Sequence, residues 1–255
     1  MFDYLKSLIV ENVGNKICPV CGAKNIKFEP LPKLYLTKLK EHRFKYTLND
    51  FETLNFNHYS CPVCSASDRD RLFALYISLY LKNQEVRNIK MLEIAPSKPL
   101  SKYIKNTGRI KLRTSDLYMK DVDDHVDIMD MHCYKDEEYD SFICSHVLEH
   151  VTDDNKALRE LYRVLKVDGW GILMVPIVPK LINIDEAPFL KDQNECWRRF
   201  GQGDHVRLYS KHGFMDRVEK AGFKIEQCGN EYFGKNIFSL YGISQKSILY
   251  IVMKD

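Results

Sequence analysis

The sequence predicts an α/β protein with a mostly parallel sheet, and three observations support this fold class. From Asn88 onward, short apolar strand segments alternate with amphipathic helical segments. This alternation is typical of a sheet with helices on both faces. The N-terminal third lacks it and contains two identical Cys-Pro-Val-Cys motifs instead. We therefore expect a small cysteine-bearing module over residues 1–82 and an α/β domain over residues 83–255.

The composition is that of an ordinary globular protein. Of the 255 residues, 45% are hydrophobic and 29% are charged, so a sizeable core is expected. No apolar run reaches the roughly 18 residues of a membrane span. The first residues, MFDYLKSLIVENV, lack the features of a secretory signal, and we expect them to form a short amphipathic helix. The sequence thus favours a cytoplasmic protein without a membrane partner, and nothing in it indicates an oligomeric state.

Two cysteine pairs in the N-terminal module have the spacing of metal ligands. Each C-x-x-C pair places two thiolates on one tight turn, and two pairs supply the four soft ligands of a tetrahedral zinc. The alternatives are disulfides, which an oxidising compartment would favour, and thioredoxin-like chemistry, which would use a single motif beside a βαβ unit. We predict a structural zinc, with no open position for catalysis, at Cys18, Cys21, Cys61 and Cys64.

The segment between the two cysteine pairs is basic and rich in aromatic residues. Its positive charge is compatible with phosphate contacts but is more typical of a solvated face, and its aromatic residues are expected to pack the module. After the second pair, Ser67 can cap a helix that carries Arg69 and Arg71 in its first turn. Cations there oppose the helix dipole, which indicates an anionic partner. A salt bridge to Asp68 or Asp70 is the alternative.

The α/β domain can be divided into strands and helices from its hydrophobic pattern. We predict strands over residues 88–95, 110–117, 125–129, 139–145, 171–177, 224–228 and 247–253. Helices are predicted over residues 98–105, from Thr152 or Asp153 to a stop at Gly169, and from Ser210 to Gly222. Residues 178–207 have little periodicity. A loop of this length in a compact domain is usually functional, so we predict a substrate lid there.

Polar residues cluster at the predicted carboxyl ends of the strands, where open α/β sheets bind ligands. Glu93, Asp116 and Asp127 lie near the ends of the first three strands, and Ser145 ends the fourth. Three histidines, at the fourth strand and in the lid segment, are candidates for a general base, with structural capping as the alternative. These are His146, His150 and His205, of which His146 and His205 are favoured.

This arrangement resembles class I S-adenosylmethionine (SAM)-dependent methyltransferases over roughly residues 83–255. The resemblance is carried by MLEIAP at the first strand, SHVLEH after the fourth, and RLYSKHGFMDRVEKAGF, which is similar to the late helix of the type 11 group. It implies a Rossmann-like seven-stranded sheet and methyl transfer from SAM. In the family the acid at Asp116 accepts from both ribose hydroxyls, and the acid at Asp127 accepts from the adenine amino group. The implied SAM contacts are Glu93, Ala95, Pro96, Asp116, Leu117, Asp127, Ile128 and Ser145.

The loop after the first strand departs from the family pattern. Ala95-Pro96-Ser97 stands where a glycine-rich G-x-G loop is usual, and a plain NAD-binding domain is disfavoured still more strongly by the missing G-x-G-x-x-G. Nearly the whole chain is similar to a bacterial subgroup with an Ala-Pro loop, a CPVC knuckle before an Arg-rich helix start, and a G-Q-x-D-H-V-R segment. These features are Ala95-Pro96, Cys61–Arg71 and Gly201–Arg207 here. The candidate substrate residues are Arg69, Arg71 and Arg207.

The resemblance implies a SAM-dependent methyltransferase, and we predict O-methylation of a small-molecule or sugar-type hydroxyl. Small-RNA 2′-O-methyltransferases and ubiquinone-pathway O-methyltransferases are similar here and have divalent-ion ligands at corresponding positions, although their first ligand is an acid and SHVLEH also resembles metal-free members. The candidate second metal site is His146, Glu149, His150 and His205.

Two other interpretations remain open at the level of sequence. One is a methyltransferase that acts on RNA or on a protein and uses the cysteine module for recognition. In the RNA case, nucleic acid would be the partner. The other is a catalytically degenerate binding protein with the same fold. N-methylation is less favoured, because no N-P-P-Y-like segment follows the fourth strand.

Overall fold

A computed structural model describes residues 16–83 and 88–255 of the chain. The helix predicted within MFDYLKSLIVENV lies outside these residues. Within the two described ranges, none of the helices is both long enough and apolar enough to cross a membrane.

The N-terminal module is built from short elements. They are β1 (Lys16–Ile17), β2 (Lys24–Ile26), α1 (Lys33–Glu41), a 3-10 helix (Leu48–Asp50) and α2 (Asp68–Asn83). Ser67 caps α2 as predicted. Its Oγ accepts from the backbone N–H of Asp70 at 3.1 Å, and the Asp70 carboxylate accepts from the Ser67 N–H at 2.8 Å. This reciprocal pair satisfies two backbone donors at the start of the helix.

The remaining elements form the α/β domain. They are, in chain order, β3 (Ile89–Ile94), α3 (Lys98–Asn106), β4 (Ile110–Asp116), β5 (Asp124–His125), β6 (Tyr139–Ser145), α4 (Asp154–Val164), β7 (Leu165–Met174), β8 (Asp185–Glu186), α5 (Gln193–Phe200), β9 (Arg207–Leu208), α6 (Lys211–Lys220), β10 (Lys224–Cys228), α7 (Asn230–Phe233), α8 (Lys235–Leu240) and β11 (Leu249–Met253).

The central sheet confirms the predicted fold class. Its seven strands have the order β10-β11-β7-β6-β3-β4-β5, and β11 is antiparallel to both of its neighbours. The chain passes from β3 outward to β4 and β5, then returns to place β6 on the other side of β3. Such a reversal opens a crevice at the carboxyl ends of the two central strands. Glu93 is paired with Ile143 there, so the ends of β3 and β6 lie side by side.

The helix after β6 has the predicted cap and core face. Asp153 accepts from the backbone N–H of Lys156 at 2.9 Å, and the apolar stripe is buried. The helix ends at Val164, however, and not at Gly169 as predicted. β7 begins at once with Leu165, and Gly169 lies inside this strand, where a β-carbon would be only 2.7 Å from the Lys166 carbonyl oxygen. Close packing, not a helix stop, explains this glycine.

The predicted lid segment, residues 178–207, is more ordered than its sequence indicated. It contains α5, which Asp192 caps by accepting from the Asn194 N–H at 2.9 Å. Gly201 ends the helix in the left-handed conformation, with φ of 80°. Only Cys196 and Phe200 are buried, one turn apart, so a helix this short produces little periodic signal.

The aromatic segment between the cysteine pairs packs on the lid as well as on its own module. Phe44 and Phe51 stack at 6.1 Å and belong to a hydrophobic cluster with Phe200 of α5. Trp197 of α5 stacks on His42 at 5.6 Å. The sequence predicts that these aromatic residues pack the module. The contacts with α5 show that they also pack the module against the α/β domain.

Candidate active site

The four cysteines predicted to bind zinc come together in one cluster. The Cys18 and Cys64 sulfurs are 3.8 Å apart, and those of Cys21 and Cys61 are 3.9 Å apart. Four sulfurs at about 2.3 Å from a tetrahedral zinc would be separated by about 3.8 Å. All eight cysteines of the chain are free thiols, so the cluster is not a pair of disulfides. The cluster has the ligand type, number and spacing of a structural zinc site.

The two cysteine turns have the same backbone geometry. In the first, the Cys18 carbonyl accepts from the N–H of Gly22; in the second, the Cys61 carbonyl accepts from the N–H of Ser65, both at 2.8 Å. Gly22 and Ser65 are both left-handed, with φ of 76° and 63°. Gly22 supplies this conformation without strain, as the sequence indicated, and Ser65 adopts it despite its β-carbon.

Arg71 does not have the substrate role that its position at the helix start suggested. Its side chain is 0% exposed, and its guanidinium lies 3.8 Å from the centroid of the Phe28 ring. All five N–H donors are directed at backbone carbonyls. The acceptors are His58, Tyr59, Ala66, Tyr241 and Gly242. Arg71 therefore connects the cysteine module to the segment before β11, and it has no donor left for a ligand.

The loop after β3 contains a residue in a conformation that favours glycine. Ala95 has φ of 51°, in the left-handed region that favours glycine, and its N–H donates to the Ser115 carbonyl at 2.8 Å. At the end of the neighbouring strand, His146 has φ of 58°, and its N–H donates to the Met174 carbonyl at 2.8 Å. Strained residues of this kind cluster at functional sites. Here they lie at the ends of the two central strands.

A cavity of about 250 Å³ opens at these strand ends. Three of the predicted SAM contacts, Glu93, Ala95 and Ser145, line it together. Pro96 lies outside it and lines an adjoining groove with Lys98. The N-terminal module also lines this cavity, which is therefore a composite pocket of the kind that forms between packed units. The lining residues from the module are Tyr59, Ser67, Arg69, Asp70 and Phe73.

The other predicted SAM contacts lie further along the sheet edge. One Asp116 oxygen accepts from the N–H groups of Tyr118 and Met119, both at 2.7 Å, and Leu117 is exposed. Asp127 accepts from the N–H of Met129 at 2.8 Å. It lies in a turn and not in the predicted third strand, because β5 ends at His125. Ile128, beside it, is buried. Both carboxylates thus accept hydrogen bonds from backbone N–H groups of the loops in which they lie.

Glu93 is a buried acid that fixes the loop after β3. One oxygen accepts from the Ser101 hydroxyl at 2.6 Å and the other from the Ser97 N–H at 3.2 Å. Burial raises the pKa of Glu93 to about 7, against the opposing effect of these hydrogen bonds. The folded protein therefore binds a proton that the unfolded chain releases at its lower, ordinary pKa.

This pKa predicts a pH effect on stability that a single substitution removes. Because the folded-state pKa of Glu93 is raised, its contribution is fully favourable below the unfolded pKa of 4.5 and is lost as the pH rises through 7. Relative to Glu93→Gln, the wild-type protein should lose about 2–3 kcal/mol of unfolding free energy between pH 5 and pH 8. Urea unfolding of both proteins at the two pH values measures this, and parallel pH profiles would contradict the assignment.

A second, larger cavity of about 500 Å³ adjoins the first. Tyr59 and Arg69 line both cavities, so the two lie next to one another at these side chains. Its apolar walls come from the cysteine module, from the segment after β7 and from the lid. The apolar and aromatic lining includes Leu31, Tyr35, Phe51, Pro176, Ile177 and Phe200. The predicted lid therefore contributes to the wall of a pocket beside the strand ends.

Arg69 is the candidate substrate residue that the structure leaves available. Neither Asp68 nor Asp70 pairs with its guanidinium. The Asp68 carboxylate accepts from the backbone N–H groups of Asn55 and Arg69, and the Asp70 carboxylate accepts from the N–H of Ser67. Among residues 16–83 and 88–255, no ion pair of the Arg69 side chain is formed. A partly buried, unpaired cation on the wall of two cavities favours an anionic ligand.

The polar end of the larger cavity holds a carboxylate surrounded by histidines. Glu149 is 0% exposed, and neither of its oxygens has a hydrogen-bond partner within the described residues. His146 Nδ1 lies 3.0 Å from Glu149 Oε1, an ion-pair distance, but it is not aligned for a hydrogen bond. One ligand atom each from Glu149, His150 and His205 lies within 4.8 Å of the others. Two imidazoles and a carboxylate this close can hold a divalent cation.

The charges in this cluster are strongly coupled. Burial would raise the pKa of Glu149, but the three histidines outweigh it and hold the pKa at about 2. Burial lowers the pKa of His205 to about 4 and, together with the charge of Arg69, also lowers the pKa of His146. For His150, the hydrogen bond to Asp204 overcomes burial and raises the pKa. Glu149 is therefore an ionised carboxylate in a dry site, an environment that favours a bound cation.

Arg207 also differs from its predicted role. Its side chain is 1% exposed, and its Nη atoms donate to three backbone carbonyls of the turn after β6. It lines neither of the two cavities. The sequence makes it a candidate substrate residue at the end of the G-Q-x-D-H-V-R segment. Burial against backbone carbonyls instead makes it part of the framework.

The residues that sequence reasoning missed are aromatic side chains of the cysteine module. Tyr59 lines both cavities, while Tyr35 and Phe51 line the larger one. Nothing in their spacing distinguishes a cavity wall from a packed core. The only sequence signal was an aromatic insert longer than a zinc knuckle needs, because 39 residues separate the two cysteine pairs.

Comparison with protein families identifies part of the domain. Residues 97–173, from the turn after β3 to the end of β7, match a family model described as a methyltransferase domain, Methyltransf_11. No curated protein matches the chain.

Solved structures with a similar fold have low sequence identity. The YcgJ protein from Bacillus subtilis is 14% identical, with 70% of this chain and 98% of that chain covered and a TM-score of 0.45. A SAM-dependent methyltransferase from Mesorhizobium loti is 13% identical, with 69% and 94% covered and a TM-score of 0.45. The [4+2]-cyclase SpnF is 13% identical, with 89% and 96% covered and a TM-score of 0.46.

The family match and the sheet agree with one another. The matched residues include β6 and the turn with the buried carboxylate, and the seven-stranded order places them at the crevice between the two central strands. Residues 97–173 thus match the Methyltransf_11 methyltransferase domain family and lie in a seven-stranded sheet of the class I methyltransferase fold, and a four-cysteine cluster suited to zinc precedes them.

Proposed function

We propose that the protein transfers the methyl group of SAM to a hydroxyl group of a small-molecule or sugar-type acceptor. The observation that carries this proposal is that the two cavities share Tyr59 and Arg69 as lining residues, with Glu149 and its histidines at the polar end of the larger one. Transfer from a sulfonium is an in-line displacement. It needs an aligned acceptor and, for an oxygen nucleophile, removal of a proton.

SAM would occupy the smaller cavity and the adjoining sheet edge. Its methionine part would lie against Glu93, Ala95, Pro96 and Ser145, with its carboxylate near Arg69. Asp116 and Leu117 would hold the ribose, and Asp127 and Ile128 the adenine. When bound, SAM supplies the methyl group. The left-handed Ala95 supports this assignment, because the backbone adopts a conformation that favours glycine at the position where the family uses glycine.

The acceptor would occupy the larger cavity. Its volume of about 500 Å³ lies within the range of pockets for small molecules. Because the aromatic insert helps to enclose this cavity, we favour a small acceptor over RNA or a protein. His146 is the proposed base: burial lowers its pKa, so its imidazole is neutral near pH 7 and able to accept the hydroxyl proton.

A divalent cation fits the cluster beside this base. Glu149, His150 and His205 would hold it, and it would polarise the acceptor hydroxyl. The support is the ionised carboxylate of Glu149, whose two oxygens accept no hydrogen bond within the described residues, together with a buried His205 Nδ1 that also has no hydrogen-bond partner there.

Labelled-methyl transfer from SAM to a panel of hydroxyl compounds tests the proposal. Matched amine compounds, RNA and protein serve as competing acceptors. We expect transfer to hydroxyl compounds that falls after chelation and is restored by Mg²⁺, Mn²⁺ or Co²⁺. Transfer only to RNA, protein or amines would overturn the acceptor class. Full activity after chelation, with the cysteine-bound zinc retained, would overturn the cation.

We further propose that the module of residues 1–82 binds a structural zinc and forms one wall of the acceptor cavity of domain 83–255, with residues 178–207 as its lid. Free thiols throughout also favour a reducing compartment, the cytoplasm.

The role of zinc predicts that Cys61→Ser loses the metal and weakens SAM binding. Tyr59, which lines the proposed SAM cavity, lies two residues before Cys61, so loss of the metal should displace it. Elemental analysis and calorimetry measure both.

Cys133→Ser is the matched control for this zinc prediction. Cys133 is exposed and lies outside the four-cysteine cluster, so its replacement should leave both the zinc content and the SAM affinity unchanged. Retention of zinc by Cys61→Ser, or unaltered SAM binding after its loss, would contradict the role given to the module.

A further inference from the structure

Arg207 is a buried cation directed at the turn after β6. Its Nη1 donates to the carbonyls of Leu148 and Val151, both at 2.6 Å, and its Nη2 donates to the carbonyl of Thr152 at 3.2 Å. This turn is neither helix nor strand, so its carbonyls lack the partners that regular structure supplies. A single guanidinium thus satisfies three carbonyls within five residues.

The turn carries two of the three residues proposed to hold the cation, and the lid carries the third. Glu149 and His150 lie inside the turn, while His205 lies two residues before Arg207. The Val206 N–H donates to the Glu149 carbonyl at 2.8 Å, which adds a backbone contact between the two segments. The turn and the lid therefore meet at Arg207 and the residue before it.

Two acidic side chains contact the Nε of Arg207, whose Nη atoms face the turn carbonyls. Its Nε lies 3.3 Å from Glu186 and 3.6 Å from Asp154. Arg217 pairs with the same two carboxylates, at 2.7 Å and 2.5 Å. The hydroxyl of Tyr209 donates to Asp154 at 2.6 Å. Two arginines thus share two acids, but no contact of Arg217 with the turn carbonyls occurs among the described residues.

We propose that Arg207 is a positioning residue that holds Glu149 and His150 of the turn in register with His205 of the lid. This inference rests on the proposed function, because the three residues form the proposed cation site. Arg207 touches neither cavity, so it acts on the site only through the backbone of the turn.

The geometry requires arginine and not only a positive charge. A planar guanidinium can donate to three carbonyls and to the two acids at once, whereas a lysine ammonium is a compact charge with three donors at one point. Arg207→Lys therefore keeps the positive charge beside Asp154 and Glu186 but loses the rigid, planar set of N–H donors that reaches the turn carbonyls. Arg217→Lys makes the same chemical change beside the same acids and leaves the turn untouched, so it is the matched control.

The test is a titration of Co²⁺ into the zinc-loaded full-length protein and both variants, followed by the visible bands of histidine-bound cobalt. Outer contacts of this kind typically change metal affinity by about 10- to 100-fold, and we expect Arg207→Lys to weaken Co²⁺ binding by that factor. Arg217→Lys should bind Co²⁺ like the wild type. SAM affinity, measured by calorimetry, should be unchanged in both variants, which excludes general loss of structure.

Hydrogen exchange of the peptides that span residues 146–152 and 202–208 gives a second, metal-independent readout. We expect faster exchange of both peptides in Arg207→Lys and wild-type exchange in Arg217→Lys. Equal Co²⁺ affinities or equal exchange in the two variants would overturn the positioning role. If the wild type binds no Co²⁺, the cation part of the proposed function fails, and the exchange difference alone decides whether Arg207 positions the turn.

Discussion

Arg71→Met is expected to lower the free energy of unfolding by on the order of 3–5 kcal/mol. The side chain of Arg71 is fully buried, and its five donors are all used by backbone carbonyls. Methionine fills much of the volume but offers no donor. Removing the guanidinium leaves these carbonyls buried without partners, and that desolvation penalty outweighs the transfer of a more apolar side chain into the core.

The loss should extend to the cavities, because of where the accepting carbonyls lie. One acceptor is Tyr59, which lines both cavities, and two others precede β11. Urea unfolding gives the stability change, and SAM calorimetry under native conditions gives the effect on the site. Arg198→Met is the control, since Arg198 forms an exposed pair with Glu195 that contributes little. Equal losses in the two variants would contradict the role given to Arg71.

Glu149→Gln is expected to reduce the rate of methyl transfer by about 10²- to 10⁴-fold, the contribution typical of a catalytic acid–base or electrostatic group. The change keeps the shape of the side chain and removes its charge. Without that charge the histidines lose the partner that offsets their burial, and the proposed cation would lose its only anionic ligand. SAM affinity should be little altered, because Glu149 does not line the smaller cavity.

Steady-state kinetics with a saturating acceptor, together with SAM calorimetry, separate the two effects. Glu160→Gln is the matched control: Glu160 pairs with Arg163 on α4 and lines neither cavity, so its replacement should leave the rate unchanged. A Glu149→Gln protein that transfers methyl groups at the wild-type rate would contradict both the cation and the electrostatic role of this carboxylate.

The sheet could be predicted from sequence because its strands produce strong local signals. The bounds of β6 and β10 match the prediction, and the cap at Asp153 follows from residue type. Continuous apolar runs with polar ends are typical of buried parallel strands. The helix α5 was missed because two buried residues in eight do not establish a period.

The site was harder to predict because direction and burial decide the role of a side chain. Arg71 and Arg207 lie beside predicted ligand sites, and arginine is rarely fully buried, so contact with a ligand was the natural expectation. The structure directs both at backbone carbonyls and leaves Arg69 facing the cavities. The cavity wall at Tyr59 depends on packing between segments far apart in sequence, which hydrophobic periodicity does not encode.

Calorimetric titration of SAM into the zinc-loaded protein, with Asp116→Ala beside it, tests the central claim most directly. We expect saturable binding by the wild type and about 100-fold weaker binding by the variant, because a carboxylate that accepts from two ribose hydroxyls would be lost. Absence of SAM binding by the folded wild-type protein, or equal affinity in the variant, would contradict the proposed SAM site.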